Sequence, residues 1–362
     1  MNTNPRLAVV GCGYWGSKHV RVINEMPSAQ LVLAVDSQQE RLDYIRATYP
    51  EVMTAREFEA ALNDDIDAVV LATPISTHYM LAKQALQAGK HVLVEKPLAT
   101  SSADCWELIA LAERQKQMLM VGHTFEYHPA VEYLRQMVQG GELGTIYYID
   151  CARLNLGLFQ RDANVLWDLA PHDLSIIFYI LSRLPLSISV QGNSHVLPDI
   201  ADVAFAHLRF PEDISAHLRV SWLDPCKVRR VTVVGSRAMV VFNDTQINEK
   251  VRIYDKRFIP TLEGDRYSDY QSGYHHGNVL IPSINAAEPL RLEVEDFVTG
   301  IATGRRVRSD GYSGLRVVQA LEAASRSLAN QGHAEALHLE VEDFVTGIVG
   351  GGAMGSSEWM CS

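Results

Sequence analysis

The sequence predicts an α/β chain of two domains: an N-terminal doubly wound parallel sheet, then an α/β domain built on a large, mainly antiparallel open sheet. Three observations support this prediction. Short apolar strands alternate with amphipathic helices up to residue 122, and longer strand-like segments with few helices follow residue 145. The 362 residues also exceed the usual size of one domain. We therefore expect domains at 1–122 and 123–332.

A glycine-rich turn opens the first domain. Residues 7–10 form an apolar strand, and Gly11, Gly13 and Gly16 follow in the spacing G-x-G-x-x-G. The first glycine permits a tight turn, the second lets the backbone approach a pyrophosphate, and the third lets the helix pack on the strand. The helix N-terminus then receives the diphosphate. This pattern predicts a Rossmann unit that binds a dinucleotide.

An acidic residue closes the second predicted strand. Asp36 follows the apolar run 31–35 and comes twenty residues after Gly16. At this position a carboxylate accepts hydrogen bonds from the adenosine ribose and repels the additional phosphate of NADP. We therefore expect the cofactor to be NAD in preference to NADP.

The remaining elements continue both patterns. In the first domain we predict strands at 66–72, 91–94 and 118–121 and helices at 77–88 and 103–116. Such alternation specifies a parallel sheet with helices on both faces. In the second domain we predict strands at 146–153, 203–209, 215–222 and 230–234, and long loops near a cleft at 244–285. An uncovered face of the second sheet would expose apolar area, which predicts a homodimer or homotetramer.

Composition excludes several classes of protein. The five cysteines form no CxxC pair and no Cys/His cluster at zinc spacing, which predicts a reducing compartment and no metal site. A formal net charge of −11 opposes nucleic-acid binding. No apolar stretch approaches the roughly 20 residues that cross a bilayer, so we expect a cytoplasmic protein without a membrane partner.

A ten-residue segment occurs twice near the end of the chain. Leu-Glu-Val-Glu-Asp-Phe-Val-Thr-Gly-Ile stands at 292–301 and again at 339–348. Repeat architectures need several copies through the whole fold, so two copies do not indicate a solenoid. We interpret the second copy, within 333–362, as a recent duplication or cloning-type scar in a frayed tail.

A lysine follows the strand 91–94. Glu95-Lys96-Pro97 stands at the carboxyl edge of the predicted sheet, where ligands of doubly wound folds bind. Oxidation of an alcohol needs a group that takes the hydroxyl proton, and lysine does so when burial and cationic neighbours lower its pKa. Otherwise Lys96 polarises the oxygen as a fixed charge. The alternative is a surface lysine paired with Glu95.

An aspartate and a histidine lie four residues apart in the second domain. Asp168 and His172 precede the apolar helix 176–181, and Pro171 is tolerable only in a first helical turn. On a helix the two side chains share one face. A carboxylate next to an imidazole fixes its tautomer and raises its basicity. His172 is therefore a predicted proton acceptor oriented by Asp168. The alternative makes Asp168 a helix cap and His172 a core residue.

Together these motifs resemble the glucose-fructose oxidoreductase, inositol dehydrogenase and rhizopine-catabolism family, Gfo/Idh/MocA, over about residues 5–330. The resemblance implies NAD(P)-dependent oxidation or reduction of sugars and polyols. It implies that Lys96 and His172 are catalytic, and that Asp168 matches an aspartate of the inositol-dehydrogenase-like members. It also implies that Thr73, Pro74 and His78 line the nicotinamide ribose. The predicted cofactor-binding residues are Gly11, Gly13, Tyr14, Trp15, Gly16, Asp36, Thr73, Pro74, His78, Glu95 and Lys96.

The segment 123–129 opens the second domain and supplies candidate substrate contacts. His123, Glu126, Tyr127 and His128 can hydrogen-bond sugar hydroxyls if their side chains enter the interdomain cleft. The alternative is a capped start of the helix predicted at 130–138.

Three basic residues, Arg153, Arg161 and Lys227, are candidates for meeting a diphosphate. The chain looks like family members of bacterial surface-polysaccharide and nucleotide-sugar pathways, so we expect a nucleotide-linked sugar as the substrate. One alternative is a free-polyol or inositol dehydrogenase. Another is a regulatory protein that binds NAD(P) without catalysis, because the fold alone does not specify function.

Overall fold

The computed structural model describes residues 4–157, 159–259 and 273–337. Its first sheet contains six parallel strands in the order β3-β2-β1-β4-β5-β6. These strands are β1 (Arg6–Val10), β2 (Gln30–Val35), β3 (Met53–Ala55), β4 (Ala68–Leu71), β5 (His91–Glu95) and β6 (Leu119–Gly122). The helices between them are α1 (Tyr14–Asn24), α2 (Gln39–Thr48), α3 (Ile75–Gln87) and α4 (Ser102–Gln115).

The strand order creates a ligand crevice. From β1 to β3 the chain adds strands toward one edge of the sheet, and from β4 onward it adds them toward the other edge, so the strand order reverses between β1 and β4. The carboxyl ends of the strands at such a switch point form the usual binding site of doubly wound folds. Every residue of β4 and β6 is buried, because helices cover both faces of a parallel sheet. This agrees with the predicted Rossmann unit.

The second sheet contains nine strands in the order β14-β13-β12-β11-β7-β10-β9-β8-β15. Among the strand pairs of the described residues in this sheet, only β7 and β10 run parallel, which confirms the prediction of a mainly antiparallel sheet. The strands are β7 (Ile146–Leu156), β8 (Ser187–Asn193), β9 (Val203–Arg209), β10 (Ser215–Ser221), β11 (Leu223–Gly235), β12 (Met239–Asn243), β13 (Val251–Phe258), β14 (Tyr274–Leu280) and β15 (Glu335–Ala336). Helices α5 (Pro129–Gln139) and α6 (Val165–Leu181) pack on one face.

The prediction of long loops at 244–285 is wrong for the described part of that segment. Strands β13 and β14 pair antiparallel and extend the edge of the second sheet. Most residues of β14 are exposed, so neither face imposes an alternation of apolar and polar residues. Without that alternation the sequence of β14 does not indicate a strand.

Two helices near the end of the described chain return to the first sheet. Helix α7 (Pro289–Thr303) packs Val294 and Phe297 against one face of that sheet. Helix α8 (Gly311–Ala329) packs Leu315 against the opposite face and Leu321 into the core of the second sheet. The first packing unit thus includes residues beyond 122, and the domain limits stay predictions.

The first copy of the duplicated segment, 292–301, forms most of α7. The second copy at 339–348 lies outside the described residues.

The outer face of the second sheet is not covered by the described helices. Along β9, Ala204, Ala206 and Leu208 are buried in the core, whereas Phe205 between them is about half exposed. Tyr148 on β7 lies on the same face as Phe205 by strand register and is 41% exposed. None of the helices in the described ranges is both long enough and apolar enough to cross a membrane.

Candidate active site

The glycine turn has the geometry of a dinucleotide site. Gly11 has a φ of +86°, and a Cβ there would lie 2.6 Å from the carbonyl oxygen of Ala72. A Cβ at Gly16 would lie 1.6 Å from the carbonyl oxygen of Gly11. A Cβ at Gly13 would meet no protein atom closer than 3.6 Å, at Arg41. The fold itself thus requires Gly11 and Gly16, whereas Gly13 presents open backbone.

Helix α1 begins at Tyr14 directly after this turn. Its N-cap, Gly13, has no side chain to accept from the first-turn N–H groups. In contrast, Ser101 and Asn164 cap α4 and α6 with their side chains. The N–H groups at the start of α1 can therefore bind a pyrophosphate, so the residues fit the predicted dinucleotide.

We expect Gly16→Ala to destabilise the protein by about 1–3 kcal/mol, because the added methyl group forces the backbone of the turn apart. Urea unfolding measures this loss, and calorimetric titration should show that NAD binding is abolished. Gly13→Ala is the matched control, since its methyl group finds space in the protein. It should keep the free energy of unfolding while weakening NAD binding. Unchanged NAD affinity in Gly16→Ala would contradict the assignment.

Asp36 ties the glycine turn to the end of β2. Its buried carboxylate accepts the backbone N–H groups of Cys12 at 2.7 Å and Gln38 at 2.8 Å. Nη1 of Arg41 donates to the same group at 3.1 Å. A carboxylate has about four acceptor positions, so capacity remains for a ribose. Arg41, which no sequence motif marks, thus holds its guanidinium beside this carboxylate.

The other predicted cofactor contacts surround the same crevice. Tyr14 and Trp15 stand exposed at the start of α1, with their rings edge to face. Thr73 and Pro74 form the turn between β4 and α3. His78, however, is buried, and its ring nitrogens each lie 2.8 Å from a carbonyl oxygen, of Thr73 and of Pro97. The prediction that His78 lines the ribose is therefore wrong, since its ring nitrogens join two loops.

Glu95 ends β5 and turns inward to α1. Its Oε1 lies 3.0 Å from Nε2 of the fully buried His19. Burial acts to raise the pKa of Glu95, but the contact with His19 and the charge of Lys96 outweigh it and hold that pKa below its usual value. No sequence motif marks His19, which lies about one helical turn after Gly16 on α1.

Lys96 is buried in the crevice, with 12% of its side chain exposed. Its Nζ donates to the backbone carbonyl of Asp168 at 2.7 Å and lies 3.7 Å from the carboxylate of the same residue. Burial lowers the pKa of Lys96, and the charge of Arg153 lowers it further against the opposing carboxylates. The alternative of a surface lysine paired with Glu95 is therefore excluded.

Helix α6 carries Asp168 and His172. It begins at Val165, where the side chain of Asn164 accepts the N–H groups of the first turn. Pro171 is thus the seventh helical residue, and the prediction that it lies in the first turn is wrong. Proline there removes one backbone hydrogen bond. The helix continues because most of its later residues are buried in the second core.

Asp168 contacts partners other than the predicted one. Its Oδ2 accepts from Nε1 of the buried Trp222 at 2.9 Å. Its backbone carbonyl oxygen and its Oδ1 both contact Nζ of Lys96. The described structure has no hydrogen bond between Asp168 and His172, so the predicted orienting role is wrong. The i, i+4 spacing places both on one helix face but does not decide which partner binds. Asp168 positions Lys96.

His172 packs edge to face on Phe125, with ring centroids 5.3 Å apart. Its Nδ1 is buried and has no hydrogen-bond partner among the described residues. Burial holds the pKa of His172 well below its usual value, and the charges of Lys96 and Arg153 lower it further. The ring is therefore neutral near pH 7 and can accept a proton.

Arg153 does not face a diphosphate site. Its buried guanidinium donates two hydrogen bonds of 2.9 Å to Asp173 and stacks over Phe125 at 4.6 Å. The predicted diphosphate role is wrong, because β7 places this side chain in the interior with its own acid. Arg161 and Lys227 are exposed.

The side chains of the segment 123–128 do not all face the crevice. Glu126 accepts from Ser313, Tyr127 donates to Asp296, and Nδ1 of His128 accepts the N–H of Ala130 as a helix cap. Their predicted contacts with substrate are wrong, since all three side chains bind neighbouring helices, and the capped-helix alternative is right for His128. His123 is buried and lies within the electrostatic range of Glu95 and Lys96.

Within the described ranges, no group of three or more histidine, cysteine, aspartate or glutamate side chains is arranged to hold a metal ion.

The fold and this crevice define an oxidoreductase with a Rossmann domain. Residues 5–123 match the GFO/IDH/MocA oxidoreductase family with an NAD-binding Rossmann fold, and residues 131–241 match the C-terminal domain of that family. The chain belongs to the Gfo/Idh/MocA family.

Among its relatives, UDP-N-acetylglucosamine 3-dehydrogenase of Acidithiobacillus ferrooxidans is 30% identical over 322 residues, covering 87% of this chain and 94% of that protein. Inositol 2-dehydrogenase of Rhizobium meliloti is 24% identical, covering 90% and 97%. A solved structure of the Acidithiobacillus enzyme superimposes with a TM-score of 0.77 at 27% identity, covering 90% of this chain and 98% of that one.

Proposed function

We propose that this oxidoreductase transfers a hydride between a ring carbon of a nucleotide-linked sugar and NAD. The observation that carries the proposal is the buried Lys96, which is fixed by Asp168 beside the neutral His172 at the carboxyl edge of the parallel sheet. Similarity to a UDP-sugar dehydrogenase over 87% of the chain supports the substrate class.

Each side chain has one task in this chemistry. A bound nicotinamide supplies the hydride acceptor. His172 takes the hydroxyl proton, because its ring is neutral at the working pH. The ammonium group of Lys96 stabilises negative charge that develops on the substrate oxygen. Asp168, held by the indole of Trp222, keeps Lys96 in place.

The experiment mixes the purified protein with NAD and, separately, UDP-sugars, dTDP-sugars, myo-inositol and free hexoses, and follows the absorbance of reduced nicotinamide. Reduction with a nucleotide-sugar supports the proposal. Reduction with inositol or a free hexose alone would assign the chain to the free-polyol alternative. A protein that binds NAD but turns over none of these substrates, in either direction, would overturn the catalytic proposal in favour of a regulatory role.

We expect Asp36→Asn to weaken NAD binding about 10- to 100-fold, because hydrogen bonds to a charged group are worth about 1.5–3 kcal/mol. The same change should narrow the preference for NAD over NADP, since it removes the repulsion of the additional phosphate. Calorimetric titration of both cofactors measures the ratio. Arg41→Ala is the control, and it should not improve NADP binding. A wild-type protein that binds NADP more tightly than NAD would contradict the assignment.

The uncovered face of the second sheet supports a further proposal, a homodimer or homotetramer that pairs through this face. Phe205 and Tyr148 would be buried in such a contact. Light scattering on the wild type and on Phe205→Asp tests it, and a monomeric wild type at micromolar concentration would contradict it.

A further inference from the structure

A group of buried titratable side chains lies behind the catalytic crevice. His19 on α1, Glu95 at the end of β5, His123 after β6 and Glu293 on α7 are each at most 8% exposed. They meet where α1, α7 and the turn 124–127 pack together at the carboxyl edge of the parallel sheet. Of the four, the proposed chemistry uses none directly.

Several atoms of this group have unmet hydrogen-bonding capacity. Oε2 of Glu293 accepts from the hydroxyl of Thr124 at 3.1 Å, but its Oε1 has no partner among the described residues. The same is true of both ring nitrogens of His123, Nδ1 of His19 and Nδ1 of His172. The group thus continues to the proposed proton acceptor.

Such an arrangement is costly for the fold. A buried polar atom without a hydrogen bond costs about 1–3 kcal/mol, and an apolar residue would fill the same space without that cost. Buried polar groups are normally paired with protein or with internal water. We therefore infer that internal water joins these atoms, because they occupy one region and lack protein partners.

The group lies close to a second cavity. Glu126, 3% exposed, accepts from Ser313 and forms part of the wall of a cavity of about 540 Å³ between α5, α6, α7 and α8. Burial raises the pKa of Glu126 to about 8, against the opposing charges of Arg308 and Arg316. This carboxyl group therefore carries a proton at neutral pH.

Glu293 lies between the crevice and Glu126, because its carboxyl group is close enough to interact with the charges of both Glu95 and Glu126. Burial raises its pKa well above the usual value, and the charges of Glu95, Glu126 and Asp296 raise it further, against the hydrogen bond from Thr124. Glu293 and Glu126 thus stand between the histidines of the crevice and a cavity that opens to solvent. A bound substrate would close the front of the crevice, so a proton released there needs another way out.

We propose that His123, Glu293 and Glu126, joined by internal water, form a relay that carries the substrate hydroxyl proton from His172 to the cavity behind the active site. The proposal rests on the proposed function. The substrate O–H bond breaks, one ring nitrogen of His172 gains the proton, and Nδ1 releases one. Each member takes one proton and passes one on, so none is consumed, and water in the cavity receives the last. Reduction uses the same path in reverse.

The kinetic test uses Glu293→Gln and Glu126→Gln, which keep the shape of the side chain but cannot exchange a proton in this way. We expect kcat to fall at least about 10-fold with KM unchanged, and the solvent deuterium isotope effect on kcat to rise, since proton transfer becomes limiting. Glu293→Asp should recover part of the loss. Glu295→Gln, on the exposed side of the same helix, is the matched control. Wild-type kcat and isotope effect in Glu293→Gln would overturn the relay.

An infrared measurement on the protein without cofactor is independent of turnover. The carboxylic acid C=O band should be present at neutral pH, and each of the two Gln variants should remove one component. The Glu126 component should disappear as the pH rises through about 8, because its carboxyl group is protonated below that pKa. Absence of both components would overturn the relay whatever the activity. Both components in a protein that oxidises no sugar or polyol would instead refute the proposed function.

Discussion

Lys96→Ala is expected to lower kcat about 10²- to 10³-fold while the affinity for NAD stays nearly unchanged. Lys96 is buried, and its ammonium group stands where negative charge develops on the substrate oxygen. An interaction that strengthens as this charge forms contributes to the transition state more than to the ground state. Steady-state kinetics and calorimetric NAD titration separate the two effects.

Two further variants make the result interpretable. Lys96→Met keeps the apolar stem and removes the charge, so it should reproduce the loss of turnover if charge is the cause. Lys83→Ala, at a surface ion pair with Glu107 on the outside of α3, should leave kcat unchanged. If NAD affinity falls in Lys96→Ala as far as turnover does, then Lys96 holds the cofactor and another group stabilises the oxygen.

The sequence predicted those parts of the site that depend on local backbone geometry. Gly11 and Gly16 are recognisable because the turn excludes a Cβ at both positions, whatever the rest of the chain does. Lys96 follows a short apolar strand, and a residue in that place reaches the carboxyl edge of any parallel sheet. The spacing of motifs along the chain therefore sufficed for these residues.

The partners of charged side chains could not be predicted in the same way. Asp168 binds Trp222, 54 residues away, and Glu95 binds His19, 76 residues away. Several acceptors and donors in the sequence could have met each of these groups. Only tertiary packing decides among them, of α6 on the second sheet for Asp168 and of α1 on the first sheet for Glu95, and the spacing of residues within one helix does not contain that information.

The clearest case is the ion pair of Arg153 and Asp173, which is the basis of the prediction with the largest expected effect on stability. Both side chains are buried, and two hydrogen bonds of 2.9 Å join them. We expect Asp173→Leu to reduce the free energy of unfolding by about 3–5 kcal/mol, because it leaves the guanidinium charge buried without its acid. Urea unfolding, followed by circular dichroism, measures the change.

The double variant Arg153→Met with Asp173→Leu decides whether the lost energy is that of an unpaired charge. It removes both charges and keeps apolar volume, so it should be more stable than Asp173→Leu alone, although it contains one more substitution. If the losses of unfolding free energy in the single variants Asp173→Leu and Arg153→Met simply add in the double variant, Asp173→Leu was destabilised by poor packing and not by the unpaired charge.

The same double variant separates stability from catalysis. Arg153 stacks on Phe125, which contacts His172, and its charge helps keep His172 neutral. A stable double variant whose pH profile is shifted to higher pH would therefore show that the pair tunes the proton acceptor in addition to holding the fold.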